Sequence, residues 1–234
     1  MSILFYSKDI INLLIRYGAN INIKNSIGGT PILKLREFYW YDNMEEAIEL
    51  FINYGANIYI KDNDKNTALY YAVKGFKEKA IDYLLNINFN INVQNINDDT
   101  PLHMACKNIM GNGDMIQYLV ERGADYNIVN NKGETPLLIT CKYGKEDLSK
   151  LLIDYGADSN KQDIEGNTPL LLSCNKEIST KGGNTTEYLI EKGADINKAN
   201  NKGETPLYII SPYGNSTIFN QHLFLSIYVQ QCVI

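Results

Sequence analysis

A two-part signal recurs along this 234-residue chain at one fixed distance. Five Gly-Ala-(Asp or Asn) steps, and one variant Asn88-Phe89-Asn90, are each followed twelve residues later by a threonine that opens a Thr-Pro-Leu-like step. The pairs are Gly18 and Thr30, Gly55 and Thr67, Asn88 and Thr100, Gly123 and Thr135, Gly156 and Thr168, and Gly193 and Thr205. Consecutive threonines stand 37, 33, 35, 33 and 37 residues apart. A period in this range marks a repeat architecture, in which each small unit buries its apolar face only by stacking on its neighbours. A chain of this length would otherwise suggest one or two globular domains. The repeat predicts one continuous elongated domain that works through its surface.

The segment from Asn130 to Asn160 shows how one unit is built. Thr135 is a good N-cap, and Pro136 suits the first helical position, where a missing N–H costs nothing. A first helix is expected from Pro136 to about Lys142, turning Leu137, Ile139 and Cys141 towards neighbours. Tyr143-Gly144 turns the chain. A second helix runs from about Glu146 to Asp154, with Leu148, Leu151 and Leu152 at i, i+3, i+4 on one face. Gly156 supplies the left-handed residue after the helix end, and a projecting finger around Asp163 to Gly166 leads to Thr168. The apolar pairs Leu14-Ile15, Phe51-Ile52, Leu84-Leu85, Leu119-Val120, Leu152-Ile153 and Leu189-Ile190 stand at the same place in six second helices. Each such helix is marginal alone, and stacking makes it stable.

The runs Gly123-Ala124-Asp125-Tyr126-Asn127 and Thr100-Pro101-Leu102-His103-Met104-Ala105 resemble ankyrin repeats, whose unit is roughly 33 residues with a T-P-L-H-x-A step. The resemblance covers roughly residues 8 to 211 and implies an all-α helical repeat solenoid, its helix-turn-helix units joined by β-hairpin-type finger loops. Ala68 stands for Pro and Ile32 for Leu in two steps. Asn88 in the glycine slot is expected to weaken one helix cap, because Asn tolerates the left-handed region less well than Gly. His103 is the one histidine after a Thr-Pro-Leu, and a structural hydrogen-bonding role is expected of it.

The resemblance also implies where a partner lies: along the fingers and the exposed end of the first helix. On this chain that means Asn63, Asp64 and Asn66; Ile96, Asn97 and Asp99; Asn131, Lys132, Glu134, Lys142 and Tyr143; Ile164, Glu165 and Asn167; and Asn201, Lys202 and Glu204. This polar mixture of both charge signs suits a protein better than a polyanion or a bilayer. Many of these side chains could equally just solvate the fingers, with only a handful carrying binding energy.

All length variation falls between a threonine and the next glycine slot, at 21, 23 or 25 residues. The extra residues lie near Phe38 to Asn43, Asn108 to Gly113 and Lys176 to Asn184, in the turn joining the two helices, where added length is thermodynamically cheap. Insertions in a repeat array map to one face, often the binding face. The first holds the chain's single Trp, and Trp40 and Tyr41 are candidate contacts because these residue types are enriched at binding hot spots. The equal alternative is that Phe38 and Trp40 cap a short helix pair.

Composition narrows the function further. A net charge of −5 with no Lys/Arg run argues against nucleic acid as a partner. Without a basic, apolar leader or a run of roughly 18 apolar residues, a soluble intracellular protein is expected, cytoplasmic with nuclear residence open, and the sequons at Asn184 and Asn215 read as chance. Cys106, Cys141 and Cys174 each follow their threonine by six residues. Stacked helices lie about 8–10 Å apart, too far for disulfides, so buried small hydrophobes are expected. Cys232 is not placed for prenylation. No nucleophile elbow, zinc-protease helix motif or phosphate loop is present, His103 and His222 are far apart, and Glu45-Glu46 and Glu146-Asp147 read as solvated helix charges. No catalysis, cofactor or metal is expected.

The expected organisation is a partial repeat over 1–24, a central array of about five units over 25–204, and an atypical C-terminal repeat over 205–234. Pro212 interrupts the last first-helix, and no Asp, Glu, Lys or Arg follows Glu204. That tail is read as a docked apolar cap or as the cut end of a longer array, in preference to a membrane segment. The expected function is a monomeric scaffold or adaptor that binds a partner protein through its fingers and concave helix face. The alternative is a regulatory or substrate-recruiting segment of a larger enzyme encoded outside this chain.

Overall fold

Each first helix starts where the sequence places a threonine. In the computed structural model, which describes residues 8–33, 44–108, 113–174 and 183–211, Thr67, Thr100, Thr135 and Thr205 have extended backbones, and each hydroxyl accepts the N–H of the residue three positions on. That satisfies one of the donors a helix start leaves open. The chain divides into two compact units, Met1–Asn90 and Ile91–Ile234. The first holds α1 (Lys8–Arg16), α2 (Met44–Asn53), α3 (Ala68–Lys74) and α4 (Glu78–Asn86). The second holds α5 (Pro101–Lys107), α6 (Gly113–Glu121), α7 (Pro136–Lys142), α8 (Glu146–Asp154), α9 (Pro169–Cys174), α10 (Gly183–Glu191) and α11 (Pro206–Ile210). The helices of the template unit therefore fall where the sequence put them. α11 stops before Ser211, whose ψ of 147° is the extended backbone a residue before proline requires.

The glycine slot closes each second helix. At Gly156 (φ 95°) the N–H reaches the Ile153 carbonyl at 2.9 Å, and the Ala157 N–H reaches Leu152 at 3.0 Å. This pair of bonds satisfies the last carbonyls of α8. Asn88 adopts φ 62° and keeps both bonds, to Leu85 at 2.9 Å and from Phe89 to Leu84 at 3.0 Å. The geometry of the cap survives the substitution.

Cores form between the helices so fixed. In the second unit α7 packs on α5, α8 and α9, and α10 packs on α8 and α9. The residue four before each glycine slot is the deepest: Leu119, Leu152 and Leu189 are fully buried, as Leu84 is in the first unit. In α1 the same slot, Leu14, is 54% exposed, alongside exposed Ile10 and Leu13. Cys106, Cys141 and Cys174 are free and buried, and burial pushes each thiol up to about 12. Two buried hydroxyl pairs tie first to second helices. Ser149 donates to the Thr140 hydroxyl at 2.9 Å and Thr186 to the Ser173 hydroxyl at 2.9 Å, while Thr140 and Ser173 donate to their own helix carbonyls.

The described fingers are hairpin-type loops, as expected, each reduced to a single turn. Among the described residues no strand forms. Each finger is a tight turn closed by two backbone bonds, as where Asn130 N–H meets the Glu134 carbonyl at 3.0 Å and Gly133 N–H returns to Asn130 at 2.9 Å. One such rung is too short for a ladder. What holds the turn is the side chain of its first residue, always Asn or Asp: its oxygen accepts the N–H groups two and four residues on. This occurs at Asn25, Asp62, Asn95, Asn130, Asp163 and Asn200. An Asx side chain that bonds its own following backbone is a known turn former.

Neighbouring fingers are then stitched by backbone. Asn131 N–H reaches the Asn97 carbonyl at 3.0 Å, Ile164 reaches Lys132 at 3.1 Å and Asn201 reaches Glu165 at 3.0 Å. The finger's fourth residue is left-handed at each stitch: glycine at Gly133 and Gly166, and Asp98 (φ 57°) beside the Asn131–Asn97 bond. A Cβ on Gly166 (φ 80°) would sit 2.7 Å from the Asn201 backbone nitrogen, whereas at Gly203 (φ 78°) it would meet nothing within 4 Å. Gly203→Ala is expected to cost only the left-handed strain, about 1 kcal/mol, and Gly166→Ala about 1–3 kcal/mol more because the Asn201 backbone must shift and strain its stitch. Urea midpoints of the two variants measure the difference; equal losses would show that the stitch contributes nothing.

Candidate functional site

The second and third residues of each finger are its tip. Their backbones are fixed by the Asx turn while their side chains face solvent. Asn63, Asp64, Ile96, Asn97, Asn131, Lys132, Ile164, Glu165, Asn201 and Lys202 are all exposed, Ile96 and Ile164 at 50% and 60%. Ser26 and Ile27 of the first finger are exposed in the same way. Two tip asparagines also work inside the stack. Asn63 and Asn201 donate from Nδ2 to the carbonyls of Ser26 and Ile164 in the preceding fingers, at 3.2 and 2.9 Å.

The residue just before each threonine behaves differently. Asn66, Asp99 and Glu134 are 8%, 3% and 5% exposed. They are removed from the expected contact set, because their polar atoms are spent at the finger base. Asn66 Nδ2 donates to Asp62 at 3.2 Å. Lys107 binds Asp99 at 2.6 Å, Lys142 binds Glu134 at 2.5 Å, and Asn130 Nδ2 bridges both carboxylates at 3.0 Å. The result is a continuous polar chain, Lys107–Asp99–Asn130–Glu134–Lys142, across two fingers and the ends of α5 and α7. Burial raises the Glu134 carboxyl, but bonds from Lys142 and Asn130 outweigh it and hold the group below its ordinary range. The Glu134 bond raises Lys142 in turn. Asn167 is half-buried, with Nδ2 on Asp163 at 3.1 Å, and Glu204 is half-buried, taking Asn200 Nδ2 at 2.8 Å.

In five of the six fingers the first and last residues share one acid between them. Asp62 pairs with Asn66 and Asp163 with Asn167; Asn95 pairs with Asp99, Asn130 with Glu134 and Asn200 with Glu204. Two carboxylates in one base would repel, and two amides would lose the charge-assisted bond. The sequence carries this rule openly, with Asn or Asp five residues before each of the six threonines that open a repeat step.

At the first-helix ends Tyr143 is 58% exposed, beside half-buried Lys142. Lys145 caps the preceding unit, donating to the Cys106 and Asn108 carbonyls at 2.7 Å each. Burial lowers its ammonium below the usual lysine value. Phe76, at the same turn in the first unit, has φ 53°, an uncommon conformation for a bulky residue, and is 36% exposed. Trp40, Tyr41 and the rest of residues 34–43 lie outside the described residues, as do 109–112 and 175–182 in the other two helix–helix insertions and residues 212–234 of the tail, Pro212 among them.

His103 is completely buried and carries both of its ring bonds. Nε2–H donates to the Glu134 carbonyl at 2.9 Å. Nδ1 accepts the Thr100 N–H at 3.2 Å, and the Thr100 hydroxyl lies 2.8 Å from it. With the Thr100 hydroxyl accepting the His103 N–H, this is a reciprocal capping box. Desolvation dominates and holds the imidazole below its ordinary 6.5, against the smaller opposing pull of the Glu134 carbonyl and Asp99.

Among the described residues no His/Cys/Asp/Glu cluster is set to hold a metal, and no helix is long and apolar enough to cross a membrane. A family model for ankyrin repeats, three copies long, matches residues 1–95, 37–130 and 123–198. The chain belongs to the ankyrin-repeat family, an all-α repeat solenoid. No curated protein matches it. Among solved structures it is similar to the ankyrin repeat domain of Bcl-3, described as a unique member of the IkappaB protein family. The two are 22% identical with a TM-score of 0.74, over 94% of this chain and 91% of that one. At that identity the likeness establishes fold alone. Ankyrin repeats are generally protein–protein interaction modules, and domains built from them are typically non-catalytic.

Proposed function

We propose that this chain is an adaptor that grips a partner protein across its fingertips and the exposed ends of its first helices. The carrying observation is the division of labour within each finger. The first and last residues are consumed in holding the turn, and the two tip residues are held out on a fixed backbone. A rigid backbone with exposed, mixed side chains lowers the ordering cost of binding. In the second unit the tips offer Ile96, Asn97, Asn131, Lys132, Ile164, Glu165, Asn201 and Lys202, with Tyr143 and Lys142 at the end of α7. Both charge signs and separated apolar groups suit a folded or extended polypeptide, while a polyanion would find no basic stripe.

The test is a triple variant, Lys132→Ala, Ile164→Ala and Glu165→Ala, compared with the unaltered chain in quantitative affinity capture from cells that express it. Exposed tip changes should leave stability within about 0.5 kcal/mol each. A protein recovered with the unaltered chain should fall at least about tenfold with the variant, the scale expected of losing hot-spot contacts. Equal recovery by a variant with an unchanged thermal melt overturns the assignment.

A further inference from the structure

We propose that His103 is a proton-sensitive clasp between two neighbouring fingers, residues 95–99 and 130–134, which holds both closed only while its imidazole is neutral. The inference deepens the adaptor reading by making one part of the tip surface responsive to pH. It rests on that reading only for its bearing on a partner; finger closure is tested without one.

The clasp stands where both turns close. Asp99, directly before Thr100, accepts the Asn95 N–H at 3.1 Å that shuts the first finger. The Glu134 carbonyl that takes His103 Nε2–H also accepts the Asn130 N–H at 3.0 Å that shuts the second. One imidazole therefore couples an N-cap on one side to a turn closure on the other. Both bonds require the neutral ring with its proton on Nε2. A second proton on Nδ1 would turn to the Thr100 hydroxyl oxygen, which already accepts the His103 N–H, and would leave the buried Thr100 N–H without its acceptor. A ring flip offers no escape, since the charged ring is a donor at both nitrogens.

The charged neighbours are few. Lys107 and Asp99 belong to the same helix and finger, and they neutralise one another at 2.6 Å. Glu134 comes from the next finger and is matched by Lys142 of α7. Against α5, α6 buries Met115, Ile116 and Leu119, while its Asp114 and Glu121 remain exposed. No uncompensated carboxylate among these stands ready to stabilise an imidazolium. The sign follows from linkage: the opened state binds the proton more readily, so the closed state loses stability as pH falls below the ordinary 6.5.

The other units lack the device. The equivalent positions hold Leu33, Tyr70, Leu138, Leu171 and Tyr208, so no other unit has a histidine there. The pH response is therefore confined to two fingers.

Amide hydrogen exchange of the full chain at about pH 7.5 and about pH 5.0, corrected for the intrinsic rate, tests this. Peptides covering 95–103 and 130–135 should lose at least about tenfold protection on acidification, the scale of one unsatisfied buried group. Peptides covering 163–168 and 200–205 should not change. His103→Gln keeps a capping-box residue at the third helical position but cannot titrate, and His103→Leu installs the residue found in three other units; either should abolish the acid-induced loss. If His103→Leu fails to fold, His103→Gln and the unaltered chain still decide the matter. Acid loss spread equally over all four fingers, no loss in the unaltered chain, or a loss that persists in a folded variant would each overturn the clasp.

Discussion

Replacing Leu152 by alanine should lower stability by about 2–5 kcal/mol, while the same change at Leu14 should cost less than about 1 kcal/mol. The two leucines hold the same place, four residues before a glycine, in helices with the same apolar pattern. Leu152 is fully buried, with α8 packed against α6, α7 and α10. Leu14 is 54% exposed. Truncating the first removes transfer energy and leaves a cavity, whereas truncating the second removes a side chain that water already wets. Urea unfolding followed by far-ultraviolet circular dichroism gives both values. Long repeat arrays lose two-state behaviour, so exchange protection of α8 should accompany the midpoints. Equal losses at the two sites would show that the slot, not its burial, sets the cost.

Asn130→Ala should cost about 2–4 kcal/mol, an unusual amount for a side chain in a turn. Its Oδ1 holds the Lys132 and Glu134 N–H groups at 2.9 and 3.0 Å, and its Nδ2 joins the Asp99 and Glu134 carboxylates. Alanine abandons all four bonds. Asn130→Asp keeps the acceptor but sets a third carboxylate against two, and should be at least as harmful even though Asp62 and Asp163 occupy the same slot. Adding Glu134→Asn to Asn130→Asp recreates the Asp163–Asn167 pairing and should recover part of the loss. Thermal melts of Asn130→Asp, Glu134→Asn, the double variant and the unaltered chain form the cycle, with Asn130→Ala melted alongside. If the double variant is as unstable as the sum of its parts, the one-acid rule at the finger base is wrong.

The helical stack was open to reading from the sequence because its signals are local and repeated. Thr-Pro starts a helix and Gly-Ala ends one, and α7 and α8 have the bounds those residues imply. The tips were legible for the same reason. Asn66, Asp99 and Glu134 were not, because a polar residue beside a turn looks like surface, and only their partners in space reveal that they face inward. The six Asx positions were visible in the sequence. They went unread because Asn and Asp in a loop ordinarily signify no more than a turn. His103 was expected to bond structurally; that its two bonds span two fingers depends on Glu134, 31 residues away.

A last consequence concerns the exchange of units. Asn92, Asn127 and Asn160 each accept from Oδ1 the N–H of the Asp that follows a glycine slot in the next unit, at 2.9, 3.0 and 2.7 Å, as Asn22 does for Asn57 at 2.8 Å. Among the described residues the ladder breaks at Tyr59, whose ring instead stacks on Phe89, centroids 5.4 Å apart and 12° from parallel. Phe89 stands where every other unit has alanine. The two departures from the repeat touch one another, an aromatic contact standing in place of a polar one. Recombination that cut the gene between residues 59 and 89 would bring tyrosine against alanine or asparagine against phenylalanine, and both hybrids lose a contact without gaining the other. The units look interchangeable by their motifs, but at this junction the two residues fit only each other.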